Sequence, residues 1–173
     1  MPAERAFGHL RLLRPLLDVS RFEIERYAIA EGLEWISDES NADTTLTRNF
    51  LRHETLNAIS QRFPSAEASL ALAARHFAEA AGLLGDLAHQ DWLLASDGEK
   101  ARMSVLRQMS LPRLKNLLRY RLRCLGWQVP VTARLDEFAR QLQSAAPDRH
   151  PELCLPDGKM CVAQRYLHWL SEK

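Results

Sequence analysis

Apolar residues recur at helical spacing over a long stretch of the chain, from Pro64 to about Ala95. This spacing predicts one long helix, or two helices joined at Gly82–Gly85, with the apolar stripe in a core. The stripe consists of Leu70, Ala73, Phe77, Ala80, Leu84, Leu87 and Trp92. Leu111–Leu125 and the segment after Pro130 repeat the pattern, so the sequence predicts a largely helical second part.

The end of the chain has a different pattern. Two short apolar segments, Leu153–Leu155 and Met160–Val162, flank a Pro-Asp-Gly-Lys turn that begins at Pro156. Proline and glycine favour a tight turn there, so we expect a hairpin, with Tyr166–Leu170 as a further strand. Ala101–Leu106 is predicted as another strand. The expected fold class is therefore α+β and predominantly helical, with a small antiparallel sheet.

The first third of the chain is predicted to form a separate helical segment. Ser20 and Glu23 fit a capping box at the start of a helix that ends near Gly32. A short extended piece and a polar loop follow, and Thr44 or Thr45 is expected to cap a second helix that runs to about Ser60. The side chains of this helix that we expect to face inward are Leu46, Phe50, Leu56 and Ile59. The predicted domain boundary lies around Gln61–Ser65, which gives units 1–63 and 64–173.

Composition and motifs exclude several classes of protein. With 173 residues, 46% of them apolar and 26% charged, the chain is neither collagen-like nor disordered. No apolar run approaches the length of a membrane span, and no secretory signal is visible. The cysteines show no CxxC spacing. A reduced cytoplasmic protein is therefore expected. Dinucleotide, phosphate-loop and serine-hydrolase glycine motifs are missing, and the histidines lack metal-ligand spacing, so no metal site is predicted.

Paired arginines after a polar loop are the strongest candidate site. The loop contains Asp38 and Asn41, and Arg48, Asn49 and Arg52 follow it. Arginines four residues apart share a helix face, and two guanidinium groups suit bidentate contact with phosphate or carboxylate. The alternative is structural: Asp38 and Asp43 would only neutralise the arginines. The spacing alone leaves both interpretations open.

A basic segment is the second candidate site. Eight basic residues and no acidic one lie between Lys100 and Arg123. Stacked like charges on a helix are relieved by an anionic partner, so this segment is a candidate nucleic-acid surface, although a solvated face is the alternative. The residues that we expect to contact RNA are Arg102, Arg107, Arg113, Lys115, Arg119 and Arg123.

The first third also resembles the tRNA(Ile)-lysidine synthase family of the PP-loop ATPase superfamily. The resemblance rests on Arg14-Pro15-Leu16-Leu17, the Ser20–Gly32 helix, Leu33-Glu34-Trp35, Asp38-Glu39-Ser40-Asn41 and Arg48-Asn49-Phe50-Leu51-Arg52. It implies that residues 1–63 are the end of a catalytic PP-loop domain. Residues 64–173 are similar, on weaker motifs, to the family's middle, tRNA-binding domain.

The resemblance also implies an activity. The family uses ATP, with Mg²⁺, to adenylate the wobble cytidine of an isoleucine tRNA with a CAU anticodon, and free lysine then displaces AMP to form lysidine. Carried over to this chain, Arg48 and Arg52 would handle the reacting anion. Asp38, Asn41 and Asn49 would build the active-site loop, with Asp38 also near the lysine ammonium. The implied protein is cytoplasmic, with tRNA(Ile), lysine and ATP as partners, no membrane, and a homodimer as one option.

The sequence departs from the family at one point. The family's Ser-Gly-Gly-x-Asp-Ser loop is not found, so we expect a central fragment that binds ATP mainly through a region outside this chain and is inactive alone. The family's most C-terminal domain is also expected to lie outside it. Two alternatives remain: a stand-alone, non-catalytic RNA-binding module, and an interaction protein whose arginines form only structural ion pairs.

Overall fold

The computed structural model describes residues 3–7, 9–36, 38–146 and 149–171. The chain divides into two compact units, residues 1–78 and 79–173. This division falls inside a long helix. The predicted boundary between residues 63 and 64 concerns family domains rather than compact units, and it stays a prediction.

The first unit begins with a hairpin and a capped helix. Strands β1 (Glu4–Phe7) and β2 (Leu10–Leu13) pair antiparallel. Helix α1 (Arg21–Ala30) has the predicted capping box, in which Ser20 and Glu23 satisfy each other's backbone N–H groups. Gly32 follows with a φ of 62°, a conformation that suits glycine at the end of a helix.

The second helix of this unit differs from the prediction. A 3₁₀ turn (Glu39–Ala42) precedes a helical segment made of α2 (Thr47–Phe50), a π-helical turn (Leu51–Thr55) and α3 (Leu56–Arg62). The N-cap position is Leu46, so the prediction that Thr44 or Thr45 caps the helix was wrong. The Thr45 hydroxyl instead donates to the Asp43 carboxylate, at 2.6 Å.

The first unit has almost no interior among its described residues. Of the side chains described there, Asn49 is the one that is buried, whereas Leu46, Phe50 and Ile59 are exposed, so their predicted inward orientation was wrong within this unit. The physical reason is architectural: a two-stranded hairpin and short helices provide no second apolar layer to cover these side chains.

The described residues of the second unit form four helical elements and a five-stranded antiparallel sheet. Its sheet has the strand order β3-β4-β7-β6-β5. The elements, in chain order, are the C-terminal part of α4 (Ala66–Ala95), β3 (Ser96–Asp97), β4 (Lys100–Arg102), α5 (Met103–Leu106), α6 (Leu111–Cys124), α7 (Thr132–Ser144), β5 (Glu152–Leu155), β6 (Gly158–Ala163) and β7 (Tyr166–Ser171). The predicted α+β, predominantly helical class is confirmed.

One apolar core fills the second unit, and its helices present the predicted faces to it. The leucines of α6 and the apolar stripe of α7 are buried together with residues from β6 and β7. The members with no or almost no exposed surface include Leu114, Leu117, Leu118, Leu122, Leu135, Phe138, Leu142, Met160 and Leu167. Helical periodicity therefore identified this core correctly.

The long helix and the first strand of this unit required corrections. Helix α4 is continuous through Gly82 and Gly85, but Leu70, Phe77 and Leu84 of its predicted core stripe are more than half exposed. Only Ala88, Asp91 and Ala95 are buried, because only the last turns of the helix pack on the core. The predicted strand Ala101–Leu106 was wrong after Arg102, where the chain enters α5. Within the described residues, no helix has the length and apolarity that crossing a membrane would require.

Candidate functional site

The polar loop before the paired arginines is a hydrogen-bonded turn. The Asp38 carboxylate accepts from the backbone N–H of Ser40 at 2.9 Å, and the Asp43 carboxylate accepts from the Thr45 N–H at 2.9 Å. Hydrogen bonds from Ser40, first from its side chain and then from its backbone, lower the pKa of Asp38. Those from the hydroxyl and N–H of Thr45 lower the pKa of Asp43. Both carboxylates therefore stabilise the loop as anions.

Asn49 joins the helical segment to this loop. Its buried side-chain amide donates from Nδ2 to the Ser40 carbonyl at 2.8 Å and to the Asp43 carbonyl at 2.9 Å. A second link joins His53 Nε2 and the Asn41 carbonyl, 2.9 Å apart. Asn41 thus takes part through its backbone. Sequence reasoning missed His53, and no sequence pattern marks its contact across twelve residues.

The two arginines take no part in these internal contacts. Arg48 and Arg52 are exposed, and neither forms a hydrogen bond or ion pair with any described residue. Both line one open depression of about 620 Å³, together with Thr47, Leu51 and Leu56. The structural alternative, neutralisation by Asp38 and Asp43, is therefore not found among the described residues. The pair is available to an anionic group from solvent.

A π-helical turn contains one of the two arginines. Arg52 lies in the Leu51–Thr55 turn, and Arg48 lies in the α-helical turn before it. Such turns are rare and occur frequently at functional sites. They have no reliable sequence signature, so the predicted regular helix missed this one. Arg52 also lines a second open depression, of about 740 Å³, that includes Arg21 and Glu25.

The predicted RNA-contacting residues do not form a single ridge. Lys115 and Arg119 are half-buried and both approach the Asp136 carboxylate, at 2.9 and 4.0 Å respectively. The carboxylate offsets the stacked charge that we expected an outside anion to relieve. Arg113 pairs with the fully buried Asp91, whose hydrogen bond and charge raise the pKa of Arg113.

The remaining three predicted residues form no ion pair with a described residue. Arg102 donates to the carbonyls of Leu94 and Ala95, and Arg107 donates to those of Leu142 and Ala145, so neutral groups hold both guanidinium groups in place. Arg123 is exposed and has no hydrogen bond or ion pair among the described residues.

A further arginine of helix α6, Arg121, packs against other side chains of the second unit. Its guanidinium carbon lies 4.3 Å from the ring centroid of Trp92 and 5.9 Å from that of Trp169, and Glu99 pairs with it. Burial lowers the pKa of Arg121, while the aromatic faces stabilise its charge. In the part of the chain that the structure describes, no three His, Cys, Asp or Glu side chains converge as metal ligands.

Comparison with known proteins assigns both parts of the chain. Residues 1–59 match the PP-loop domain, and residues 102–170 match the TilS substrate binding domain. A tRNA(Ile)-lysidine synthase from Aromatoleum aromaticum is 46% identical over 92% of this chain. The chain belongs to the tRNA(Ile)-lysidine synthase family. The first match includes the polar loop and both arginines, and the second includes the six residues expected to contact RNA.

Other members of the tRNA(Ile)-lysidine synthase family match similarly. The Pseudomonas putida relative is 38% identical over 99% of this chain, and the Nitrosomonas europaea relative is 41% identical over 82%. The chain spans 37%, 42% and 31% of the length of the Aromatoleum, Pseudomonas and Nitrosomonas relatives. The matched region is therefore well under half of each relative.

Proposed function

We propose that this chain is part of an ATP-dependent tRNA-modifying ligase that attaches lysine to the wobble cytidine of tRNA(Ile) with a CAU anticodon. The observation that carries the proposal is that two guanidinium groups, those of Arg48 and Arg52, have no partner among the described residues and line one depression beside a hydrogen-bonded loop. Family membership supplies the reaction, and the two arginines supply a place for its anions.

The reaction needs anion stabilisation twice. In the first step the cytidine O2 attacks the α-phosphorus of ATP, an O–P bond forms, and pyrophosphate leaves. In the second step the deprotonated ε-amine of lysine attacks C2, a C–N bond forms, the C2–O bond breaks, and AMP leaves. Negative charge changes on phosphate oxygens in both steps, so fixed guanidinium donors at that position lower the barrier.

The loop and the helical segment orient the arginines. Asn49 fixes the segment that carries Arg48, while Asp38 and the backbone of Asn41 keep the loop folded. Preorganised donors stabilise developing charge without reorganising during the reaction. We assign Asn49 and Asp38 as positioning residues, and the approach of Asp38 to the lysine ammonium remains part of the proposal.

ATP binding and metal binding are assigned mainly to residues outside this chain. The Asp38 and Asp43 carboxylates are already bonded to backbone N–H groups, and the described residues hold no cluster of metal ligands. The described residues therefore do not fit a Mg²⁺ site by themselves, and no step of the proposed reaction is assigned to such a site in this chain. The second unit would contribute to holding the tRNA, and this chain alone would be inactive.

The test is a lysine-, ATP- and tRNA-dependent assay of the intact gene product beside this chain. Arg48→Ala and Arg52→Ala should each lower turnover by about 10²–10³-fold, the usual cost of removing one preorganised donor. Arg48→Lys should recover part of the loss, because it keeps the charge but loses the fork-shaped donor set.

Arg26→Ala is the matched control, since Arg26 is an exposed arginine of the same unit that does not line the depression. The denaturation midpoint should stay unchanged in all variants, because neither Arg48 nor Arg52 has a partner among the described residues. Full turnover in Arg48→Ala and Arg52→Ala would overturn their catalytic assignment. If the intact protein binds tRNA without lysine and forms no lysidine, the alternative of a non-catalytic RNA-binding module would be favoured instead.

A further inference from the structure

The second unit contains a basic concavity. Only two of the residues expected to contact RNA, Arg102 and Arg107, line it. It has a volume of about 510 Å³ and is lined by Arg102, Arg107, Arg149, His150, Gln164 and Arg165, among others. Four guanidinium groups and one imidazole therefore face a single space. None of its described lining residues is an aspartate or glutamate.

Two of the four arginines are held in place without being neutralised. Arg102 Nη2 donates to the Leu94 carbonyl at 2.7 Å, and Arg107 Nη2 donates to the Ala145 carbonyl at 2.9 Å. A carbonyl oxygen orients a guanidinium but carries no net charge, and each guanidinium has five N–H groups. Both groups thus keep their positive charge and unused donors in a fixed position.

The other two arginines are unpartnered. Arg149 and Arg165 are exposed and form no side-chain hydrogen bond or ion pair with the described residues. Arg165 stands in the β6–β7 turn, where Gln164 and Arg165 have φ angles of 49° and 67°. Positive φ at both central residues is the pattern of the type I′ turn that commonly joins antiparallel strands through two residues. The Met103 N–H donates to the Arg165 carbonyl at 3.0 Å and holds the turn.

The Asp97 carboxylate interacts electrostatically with Arg102, but its main partners are Tyr166 and Lys100. Hydrogen bonding with the Tyr166 side chain, then the charge of Lys100 and, least, that of Arg102 lower the pKa of Asp97. Lys100 also lies over the Tyr166 ring, 3.9 Å from its centroid. The concavity therefore holds clustered like charges that an anion with several acceptor oxygens would stabilise.

We propose that this concavity binds a phosphate group, and that in the working protein the phosphate is a phosphodiester of the RNA backbone. The RNA source rests on the proposed function, whereas the phosphate chemistry rests on the arginines alone. Residues of the β4–α5 junction, the segment after α7 and the β6–β7 turn would hold the RNA at one point, independent of base identity.

The test uses the 173-residue chain and the double variant Arg149→Gln/Arg165→Asn. Both side chains lack partners among the described residues, and asparagine tolerates positive φ, so the fold should persist. The matched control is Arg26→Gln/Arg75→Gln, which removes two exposed positive charges that lie outside the concavity and form no hydrogen bond or ion pair with the described residues. Binding of bulk tRNA is measured against salt concentration, and circular dichroism checks folding.

We expect the double variant to bind tRNA roughly tenfold more weakly at low salt. The slope of log affinity against log salt concentration should also become shallower, by about one to two units. The control should keep the wild-type slope. If wild type binds tRNA and the double variant has the same slope, the site assignment is overturned while the proposed function stands.

A second arm uses pyrophosphate and inorganic phosphate, followed by the side-chain ¹⁵N signals of the arginines. If wild type fails to bind tRNA, the RNA role in the proposed function fails. Pyrophosphate-dependent shifts of Arg149 and Arg165 would then identify a free phosphate compound as the ligand and overturn the RNA source. The absence of both tRNA binding and phosphate shifts would overturn the phosphate site itself.

Discussion

The side-chain amide of Asn49 donates to the backbone carbonyl of Ser40 at 2.8 Å, which ties the helical segment of Arg48 to the loop before it. The same Nδ2 also reaches the Asp43 carbonyl at 2.9 Å. One buried side chain thus closes both ends of the turn. This link makes the loop and the paired arginines one structural unit.

Replacing Asn49 by aspartate should open this loop. The substitution Asn49→Asp is nearly isosteric but places carboxylate oxygens against two carbonyls, so the loop should lose about 2 kcal/mol or more of local stability. Amide hydrogen exchange across residues 40–45 measures the effect. The control is Asn57→Asp, because the Asn57 amide also donates to a carbonyl, that of His53, but lies on the exposed side of the helical segment. Unchanged exchange in the Asn49 variant would contradict the role of the amide.

The Arg113–Asp91 pair should respond asymmetrically to substitution. Asp91 is fully buried, whereas the Arg113 side chain is 47% exposed. Arg113→Gln leaves a buried carboxylate without its cation and should cost about 3–5 kcal/mol of unfolding free energy. Asp91→Asn leaves a guanidinium that water can reach and should cost less. Urea denaturation measures both, and Arg123→Gln, at an unpartnered surface arginine, should change stability by less than about 0.5 kcal/mol. Equal losses in the two variants would contradict this asymmetry.

Gly158→Ala should destabilise the sheet strongly. Gly158 has a φ of 150°, and an added Cβ would lie 2.7 Å from the Trp127 ring and 2.9 Å from the Ser171 Cα. Overpacking of this kind costs about 1–3 kcal/mol, with backbone strain in addition. Gly98→Ala is the matched control, because its φ is also positive at 63° but its Cβ would meet open space. Thermal unfolding should therefore separate steric overlap from strain, and equal shifts would refute the overlap.

Acidification should release the loop of Asp38 and Asp43. The pKa of Asp38 is lowered from its ordinary 3.8 by the hydrogen bonds of Ser40, so its stabilising contribution is present above that value. The contribution is lost as the pH falls through the lower pKa of the folded state. The Ser40 amide signal in NMR should titrate there. In Asp38→Asn the acceptor remains but the charge does not, so a persistent titration of that signal would contradict the assignment.

Local patterns predicted the second unit well and the first unit poorly. The leucine face of α6 and the stripe of α7 are buried as periodicity indicated, because each packs against a sheet and another helix. In the first unit the same reasoning placed Phe50 and Ile59 inside, yet both are exposed because this unit holds no layer to cover them. Periodicity identifies the apolar face of an element, but it does not supply its partner.

Charge patterns were less decisive than apolar ones. The spacing of Lys115 and Arg119 indicated an open basic stripe, but the carboxylate of Asp136, a distant residue in sequence, lies within 4.0 Å of both. Arg149 and Arg165 carried no motif, and only folding brought them to one concavity with Arg102. Opposite and like charges meet through tertiary contacts, so sequence spacing along one helix does not decide which charges remain free.

The sequence by itself determined the α+β class, the capping box at Ser20, the core of the second unit and the family, since these depend on short-range patterns and motif identity. Only the tertiary structure decided which arginines are compensated. It left Arg48 and Arg52 on an open depression and gave Asn49 its two carbonyl partners. The physical reason is that charge and hydrogen-bond compensation act across space, between segments whose separation along the chain carries no signal.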